Sequence, residues 1–377
     1  MIKESVQQLG RRGVLFFSGG WGIGGIEKVT ITLANEFVRR GYPVVITFFI
    51  LQDSSLLDQL DSRVVVKCLP EAYSRGHSNQ KVLRSIIEGN NIGYILDAFH
   101  SPVFLRWVCR GLGVKIIRYH HNKPDTNGRI ESARNPMVRL LWRFVTRWMV
   151  RLDYWLDDAY VILAKSFQLP FIRFTGIKYP RKLFAINNPL TIEPNKDTHK
   201  EDIILYCGRL DEHQKRVSRV FEIWRIIMND LPGWRLEIVG DGPEREYYVE
   251  STQDLERVSF VGFQKPEAYY AKAKILLMTS DFEGWPLVLT EAMSCGCGPV
   301  VLGSFEAVHD VITTGKDGMI LPVPFDARSF ADVILALTTN SKELLIMARH
   351  AQGSSSRFSA ESTVDKWEEI FAFVDKE

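Results

Sequence analysis

The chain has 377 residues, 46% hydrophobic and 24% charged, an ordinary globular composition with apolar surface for two sizeable cores. Its net charge of +2 hides a division: residues 1–185 carry 27 Lys/Arg against 14 Asp/Glu, and residues 186–377 carry 20 against 31. The five scattered cysteines form no disulfide framework, the start MIKESVQQLGRRG has no apolar core for a signal peptide, and no run approaches the ~18 apolar residues of a spanning helix. These features predict a cytoplasmic protein, soluble or peripheral. The basic half is expected to face an anionic partner, with membrane lipid, a polyanionic acceptor and nucleic acid as candidates by charge alone.

In chain order, the apolar run Val14 to Phe17 is followed by SGGWGIGG and a helix-like stretch, Ile26 to Arg40. This predicts strand, glycine loop, helix. Gly20, Gly22 and Gly25 match G-x-G-x-x-G, but the second strand, Val44 to Leu51, lacks an acid at its end, so a dinucleotide is not expected. The glycines instead predict a loop kept clear for close approach of a ligand to the backbone. Strand-like runs recur at Val64 to Val66, Tyr94 to Leu96, Val114 to Ile117 and Tyr160 to Leu163, with helical stretches between. Such alternation predicts a doubly wound parallel sheet, whose ligands bind outside the carboxyl ends of the strands. Two histidine-bearing segments fall there, Asp97-Ala98-Phe99-His100 and Arg118-Tyr119-His120-His121-Asn122-Lys123-Pro124.

Asn135 to Leu156 places Arg139, Arg143, Arg147 and Arg151 at four-residue steps beside an aromatic and aliphatic face. Drawn as a helix, this is either a domain helix with a basic solvated side or a surface for anionic lipid, with Trp142 or Trp148 near the interface. A polar stretch, TIEPNKDTHKED, then predicts a linker over 190–201 between a first domain, 1–189, and a second, 202–358. The second restarts the pattern with strands at Ile203 to Tyr206, Trp234 to Val239, Val258 to Val261, Ile275 to Met278, Pro299 to Leu302 and Met319 to Leu321. The tail, 359–377, predicts an amphipathic helix packing back across the domain junction.

The densest segment runs from Lys274 to Val301. It reads as strand, loop, helix, strand, with Glu283 in the loop and Glu291 eight residues on. A helix starting near Pro286 offers free N–H groups and a dipole as an anion site. A phosphate-containing ligand with hydroxyl-rich ends, such as a nucleotide sugar, suits that layout. Cys295-Gly-Cys297 has no second pair at metal-site spacing, so both cysteines are expected to be buried beside a strand.

Gly208-Arg209-Leu210 with Lys215, Val239-Gly240-Asp241-Gly242-Pro243, and Glu283-Gly284-Trp285-Pro286 with Glu291-Ala292-Met293 together resemble the retaining family 4 glycosyltransferases. Gly24-Gly25-Ile26-Glu27 matches that family's first glycine loop, and Ser294 to Val300 is similar to members that assemble bacterial surface polysaccharides. The resemblance implies a GT-B fold, two Rossmann-like domains facing across a cleft, and sugar transfer from a UDP- or GDP-sugar to a lipid-linked, lipopolysaccharide- or capsule-type acceptor. It implies that Arg209 and Lys215 grip the donor diphosphate, Glu283 the transferred sugar and Glu291 the ribose. Backbone from Gly284 through Trp285 and Pro286 to Leu287 would meet the phosphates. The base would lie near Gly240, Phe263 and Gln264, with Gly24 and Gly25 also at the donor and His121 facing sugar and acceptor. His121 is preferred to His120 because the family reads His-Asn-x-Pro. No cofactor or metal and no nucleic-acid partner is expected, the nucleotide sugar being a substrate, and peripheral contact with an anionic membrane falls to the first domain. Ser304-Phe305-Glu306-Ala307 departs from the Gly-Gly pair of many relatives. A sugar-nucleotide epimerase and an inactive binding subunit are the alternatives.

Overall fold

The structure, a computed structural model, describes residues 10–125, 135–194 and 199–377. The chain forms two units, one of residues up to Pro189 together with Ala360–Glu377, the other Leu190–Ser359. Part of the linker predicted over 190–201 lies outside the described residues.

The first unit runs β1 (Gly13–Trp21), α1 (Gly25–Arg39), β2 (Val44–Leu51), β3 (Val65–Cys68), α2 (His77–Gly89), β4 (Ile92–Asp97), α3 (Pro102–Val108), β5 (Lys115–His120), α4 (Pro136–Leu156), β6 (Ala159–Ile162), α5 (Gln168–Thr175) and β7 (Leu183–Ala185). Its seven strands are ordered β3-β2-β1-β4-β5-β6-β7 and all pair in parallel. Central strands of such a sheet are covered on both faces, which is why they read as unbroken apolar runs rather than alternating ones. Val14, Leu15 and Phe17 of β1, for example, are fully buried. One expectation needs correction. The segment Ser18–Trp21 is not loop but the end of β1, because β2 is long enough to pair Gly20 with Ile50 and Trp21 with Leu51. Trp21 is buried and stacks on Phe48 at 5.9 Å, so the glycine loop shrinks to residues 22–24. Helix α4 begins as its sequence suggests, with Pro136 in the first turn and the Asn135 side chain accepting from Met137 N at 2.9 Å.

The second unit runs β8 (Glu201–Cys207), α6 (Ser218–Ile227), β9 (Arg235–Val239), α7 (Arg245–Ser251), β10 (Val258–Gly262), α8 (Glu267–Lys272), β11 (Ala273–Met278), α9 (Leu287–Ser294), β12 (Gly298–Leu302), α10 (Val308–Val311), β13 (Met319–Leu321), α11 (Ala327–Thr339) and α12 (Ser341–Ser355). Its sheet is ordered β10-β9-β8-β11-β12-β13, again parallel. Strand order reverses direction between β1 and β4 in the first sheet and between β8 and β11 in the second. Loops leaving such a pair diverge to opposite faces and open a crevice at the carboxyl ends, where α/β sheets bind ligands.

The closing helix, α13 (Ala360–Lys376), belongs to the first unit. Its apolar stripe, Val364, Trp367, Phe371 and Val374, is buried, with Phe371 stacked on Tyr94 at 4.0 Å and on Phe37 at 5.7 Å. Arg40 binds Asp365 and Glu368 at 2.7 and 2.8 Å and ties α13 to the end of α1.

Candidate active site

In the second unit the crevice between β8 and β11 receives two loops. The loop after β8 carries Arg209, Gln214 and Lys215, and the loop after β11 carries Asp281 to Pro286. They are joined directly. Lys215 Nζ lies 2.6 Å from Glu283 Oε1, and Asp281 N donates to the Gln214 carbonyl at 2.8 Å. Gln214 Nε2 donates to the Phe282 carbonyl at 3.1 Å and reaches Glu283 Oε2 at 3.4 Å. Gln214 thus bridges the two loops. Nothing in a lone glutamine signals that.

Asp281 joins the two loops as well. It accepts from Arg216 Nε at 2.5 Å and Arg219 Nη1 at 2.6 Å. Burial opposes its ionisation, but hydrogen bonds from both arginines outweigh that and hold its pKa below the usual carboxylate range. Arg216 sits in the left-handed region at φ +50, an uncommon place for a non-glycine residue, directly after Lys215. Arg209 pairs with Asp211, and its side chain remains 64% exposed.

Glu291 lies deeper, 3% exposed, in the second turn of α9. It accepts hydrogen bonds from the hydroxyls of Thr191 and Tyr270, the latter at 3.1 Å. The helix start differs in detail from expectation. Pro286 is the N-cap, not the first helical residue, and its carbonyl accepts from Leu289 N at 3.0 Å and Thr290 N at 3.3 Å, while Leu287 N bonds the Trp285 carbonyl. Several of the expected free donors are thus already engaged. Trp285 is buried and meets Phe358 edge-on at 5.4 Å, so this segment offers backbone rather than its indole.

The glycines after β8 and β9 have a reason that the motif alone did not reveal. Gly240 has φ +138, and a Cβ there would stand 1.9 Å from the Gly208 carbonyl oxygen. At Gly242 the corresponding atom would stand 2.2 Å from the Leu210 oxygen. Gly208 N and Leu210 N donate to the carbonyls of Val239 and Asp241, so the two loops lie backbone against backbone. Phe263 and Gln264, after β10, are exposed. In the departing loop, the Ser304 hydroxyl donates to the Ser280 carbonyl. Cys295 and Cys297 are buried, the latter within the apolar surroundings that push its thiol up to about 12.

Gly24, Gly25 and His121 belong to the first unit. Gly24 caps α1 and Gly25 opens it, and Glu27 folds back so that Gly22 N donates to its Oε1 at 3.1 Å. His121 follows β5 and lines a small cavity with Ser18, Gly20, Glu27, Ala98 and Tyr119. Burial, helped by the Arg118 cation, lowers its pKa to about 3, and its Nδ1 is buried without a hydrogen-bond partner. His120 instead ends β5 with Nδ1 3.1 Å from the Tyr160 hydroxyl. His100, at φ +59, contacts Asp153 through Nδ1. Arg118 Nε lies 3.6 Å from the same carboxylate, and Arg118 Nη1 donates to the Asp97 carbonyl at 2.7 Å.

Residues 189–353 match the family described as glycosyl transferases group 1, and residues 23–156 match glycosyltransferase family 4. A phosphatidyl-myo-inositol mannosyltransferase of Mycobacterium leprae is 30% identical over 84% of this chain and 84% of its own length. The chain belongs to the group 1, family 4 glycosyltransferases. It is also similar, at 24% identity over 93% of this chain and 96% of the relative, to an α-1,4-N-acetylgalactosaminyltransferase of Campylobacter jejuni named for an undecaprenol-linked saccharide. An exopolysaccharide phosphotransferase of Streptomyces coelicolor matches at 30% over 57% of this chain, which spans 23% of that longer protein. Among solved structures, Anabaena HepE in complex with UDP superposes with a TM-score of 0.76 at 17% identity, covering 96% of this chain and 99% of that one. The enzyme therefore has the GT-B fold of two Rossmann-like domains. Among the described residues no group of His, Cys, Asp and Glu is arranged to hold a metal ion, and no helix is long and apolar enough to cross a membrane.

Proposed function

We propose that this glycosyltransferase moves a sugar from a UDP- or GDP-sugar to a lipid-linked or lipopolysaccharide- or capsule-type saccharide, with retention at the anomeric carbon. The observation that carries the reading is the Lys215–Glu283 contact of 2.6 Å, at the strand ends where the second sheet reverses its order. A cation and a carboxylate held together there suit a diphosphate and a sugar hydroxyl respectively. Lys215 as a point charge and Arg209 as a planar fork neutralise the leaving diphosphate, the electrostatic contribution that usually dominates. Glu283 then holds the transferred sugar by its hydroxyls, and Glu291 the ribose. Backbone of Gly284, Trp285, Pro286 and Leu287 meets the phosphates, and Gly240, Phe263 and Gln264 the base. Gly24 and Gly25 are assigned to the donor, and His121 to the transferred sugar and the acceptor. The donor diphosphate receives the acceptor proton, so neither glutamate acts as the general base.

The two relatives named for lipid-linked substrates, the inositol mannosyltransferase and the undecaprenol-dependent enzyme, support a lipid-linked acceptor. UDP bound in HepE supports a uridine donor. Acceptors of this kind lie in a membrane, so the enzyme works in the cytoplasm, held peripherally at the inner face. The cations on the chain supply the charge that a metal would otherwise bring, so no cofactor is required.

A thermal-shift panel of UDP-, GDP- and ADP-sugars tests the donor, since a ligand of the native state raises its melting temperature. Transfer to a lipid-linked saccharide, with the product anomer read by NMR, tests the reaction. An inverted anomer, or loss of rate on EDTA treatment, overturns the corresponding part of the proposal.

A further inference from the structure

Tyr73, in the loop after β3, and His100, in the loop after β4, both stand in the left-handed region, at φ +51 and φ +59. That conformation is uncommon for a non-glycine residue and an outlier for a bulky one, and it persists only where the surroundings impose it. Here they do. Behind Tyr73, the buried Asn79 accepts from Glu71 N at 3.0 Å and donates to the carbonyls of Glu71 and Ser74, both at 2.7 Å. Around His100, the buried Asp97 carboxylate accepts from Phe99 N and Ser101 N, both at 2.8 Å, and Asp153 takes the Nδ1 side of the ring. The two loops are also joined to each other. Arg75 Nη2 donates to the His100 carbonyl at 3.4 Å, and Tyr73 stacks on Phe99 with ring centroids 5.7 Å apart. Phe99 in turn lies on β1, where a Cβ at Gly19 would stand 2.5 Å from two of its ring atoms.

This braced and strained scaffold carries groups that face solvent. Tyr73 is 50% exposed on its platform of Phe99 and Phe49, and Arg75 is exposed two residues on. His100 keeps 29% of its side chain exposed. With Nδ1 turned to Asp153, its Nε2 remains for hydrogen bonding and has no partner among the described residues. Strain of this kind, held under exposed groups, is found at ligand sites.

Chemistry selects the ligand. An open aromatic face suits a flat, weakly polar C–H surface, while an imidazole nitrogen and a guanidinium add an acceptor and several donors. A pyranose ring offers the complement of both, C–H bonds on its faces and hydroxyls round its rim. The loop after β3 carries one charge of each sign, Arg75 and Glu71, so a phosphate or an acidic sugar gains no net attraction there over a neutral one.

We infer that Tyr73, Arg75 and His100 form a subsite for an uncharged pyranose ring, a unit of the acceptor saccharide other than the one at His121. His121 leaves β5 into a separate cavity that none of these three residues lines. The inference rests on the acceptor reading above for the identity of the saccharide. The subsite then helps to set which saccharide the enzyme extends.

The test is saturation-transfer difference NMR on the full-length protein with methyl α-glucopyranoside, methyl α-galactopyranoside and methyl N-acetyl-α-galactosaminide. Transfer to the ring C–H protons of at least one is expected, kept in Tyr73→Phe, lost in Tyr73→Asn and weakened in His100→Asn. Asparagine accepts the left-handed backbone, so both asparagine variants should keep the melting temperature and the donor-induced shift of the wild type. In turnover with a lipid-linked saccharide, Tyr73→Asn should raise the acceptor KM about tenfold, the value of an aromatic stacking contact, with kcat and the donor KM unchanged. Absence of signal for all three pyranosides in the wild type, signal that survives Tyr73→Asn, or signal displaced by inorganic phosphate would each overturn the inference. The two readings fail separately. Tyr73-dependent pyranoside binding by an enzyme that transfers sugar to no acceptor sinks the acceptor reading and leaves the pyranose site. Transfer with an unchanged acceptor KM in Tyr73→Asn sinks the subsite alone.

Discussion

Lys215 and Glu283, 68 residues apart in the chain, meet at 2.6 Å where the loops after β8 and β11 converge. Both side chains are largely withdrawn from solvent, at 18% and 8% exposure, so the pair holds the two loops in register. Lys215→Ala and Glu283→Ala are each expected to abolish measurable transfer with the fold retained. Donor binding by Lys215→Ala should weaken about 10- to 100-fold, the value of a charge-assisted hydrogen bond of ~1.5–3 kcal/mol. Calorimetric titration with UDP-sugar and far-ultraviolet circular dichroism check both halves, and near-normal turnover in either purified variant would remove the pair from the mechanism.

Gly240→Ala is expected to be severe for a packing reason. Its new Cβ meets the Gly208 carbonyl oxygen, a backbone atom that cannot move aside as a flexible side chain can. The left-handed backbone adds roughly 1–3 kcal/mol of its own. Gly233→Ala, where nothing lies within 4 Å of the added atom, is the matched control. Urea unfolding midpoints should separate the two, and equal midpoints would contradict the backbone-on-backbone account.

The imidazole of His121 is expected to stay neutral across the physiological range. Its folded pKa, lowered to about 3 by burial and by Arg118, lies well under the ~6.5 of an unfolded histidine. Between those values the unfolded chain binds the additional proton, so stability is fully present above pH ~6.5 and declines as pH falls towards 3. His120, lowered in the same direction by burial first, acts in the same window. The melting temperature should drop between pH 7.5 and pH 5, with a shallower drop in His121→Gln. A His121 ring resonance that titrates near pH 6.5 would refute this.

Trp367→Ala should destabilise the first unit by about 3–5 kcal/mol, as for other large-to-small changes in a core. The indole is fully buried and meets Tyr119 edge-on at 5.0 Å, on the strand that delivers His121. Thermal unfolding should show the loss, while the donor-induced stabilisation of the second unit persists. A variant with wild-type stability would mean that α13 adds little to the core.

Glu291→Gln tests the division of labour between the two glutamates. The amide keeps a hydrogen-bonding group beside Tyr270 and Thr191 but loses the charge that grips two hydroxyls. The donor KM is expected to rise with kcat little changed, the signature of lost uniform binding, whereas Glu283 variants lose kcat. A fall in kcat with unaltered KM for Glu291→Gln would reverse the assignment.

The sequence by itself determined the parallel α/β architecture and the identity of the charged residues in the second unit. Buried parallel strands need unbroken apolar runs, and the loops at their ends are punctuated by Gly and Pro, so both leave a local signature that can be read in order. Glu283 and Glu291 lie in such a loop and in the helix after it, whereas Arg209 and Lys215 are marked by the motif that the chain shares with the family it resembles. The tertiary structure alone decided what those loops touch. Gln214 and Asp281 acquire their roles from partners dozens of residues away, and no local pattern encodes a contact across two strands. Strand pairing likewise drew Ser18–Trp21 out of the predicted loop, because β2 continues far enough to hydrogen-bond it. The arginine stripe of α4 was legible from its four-residue spacing. Which of its apolar residues face the core and which face outward depended on the neighbours that α3 and β6 supply, and that is fixed only when the chain has folded.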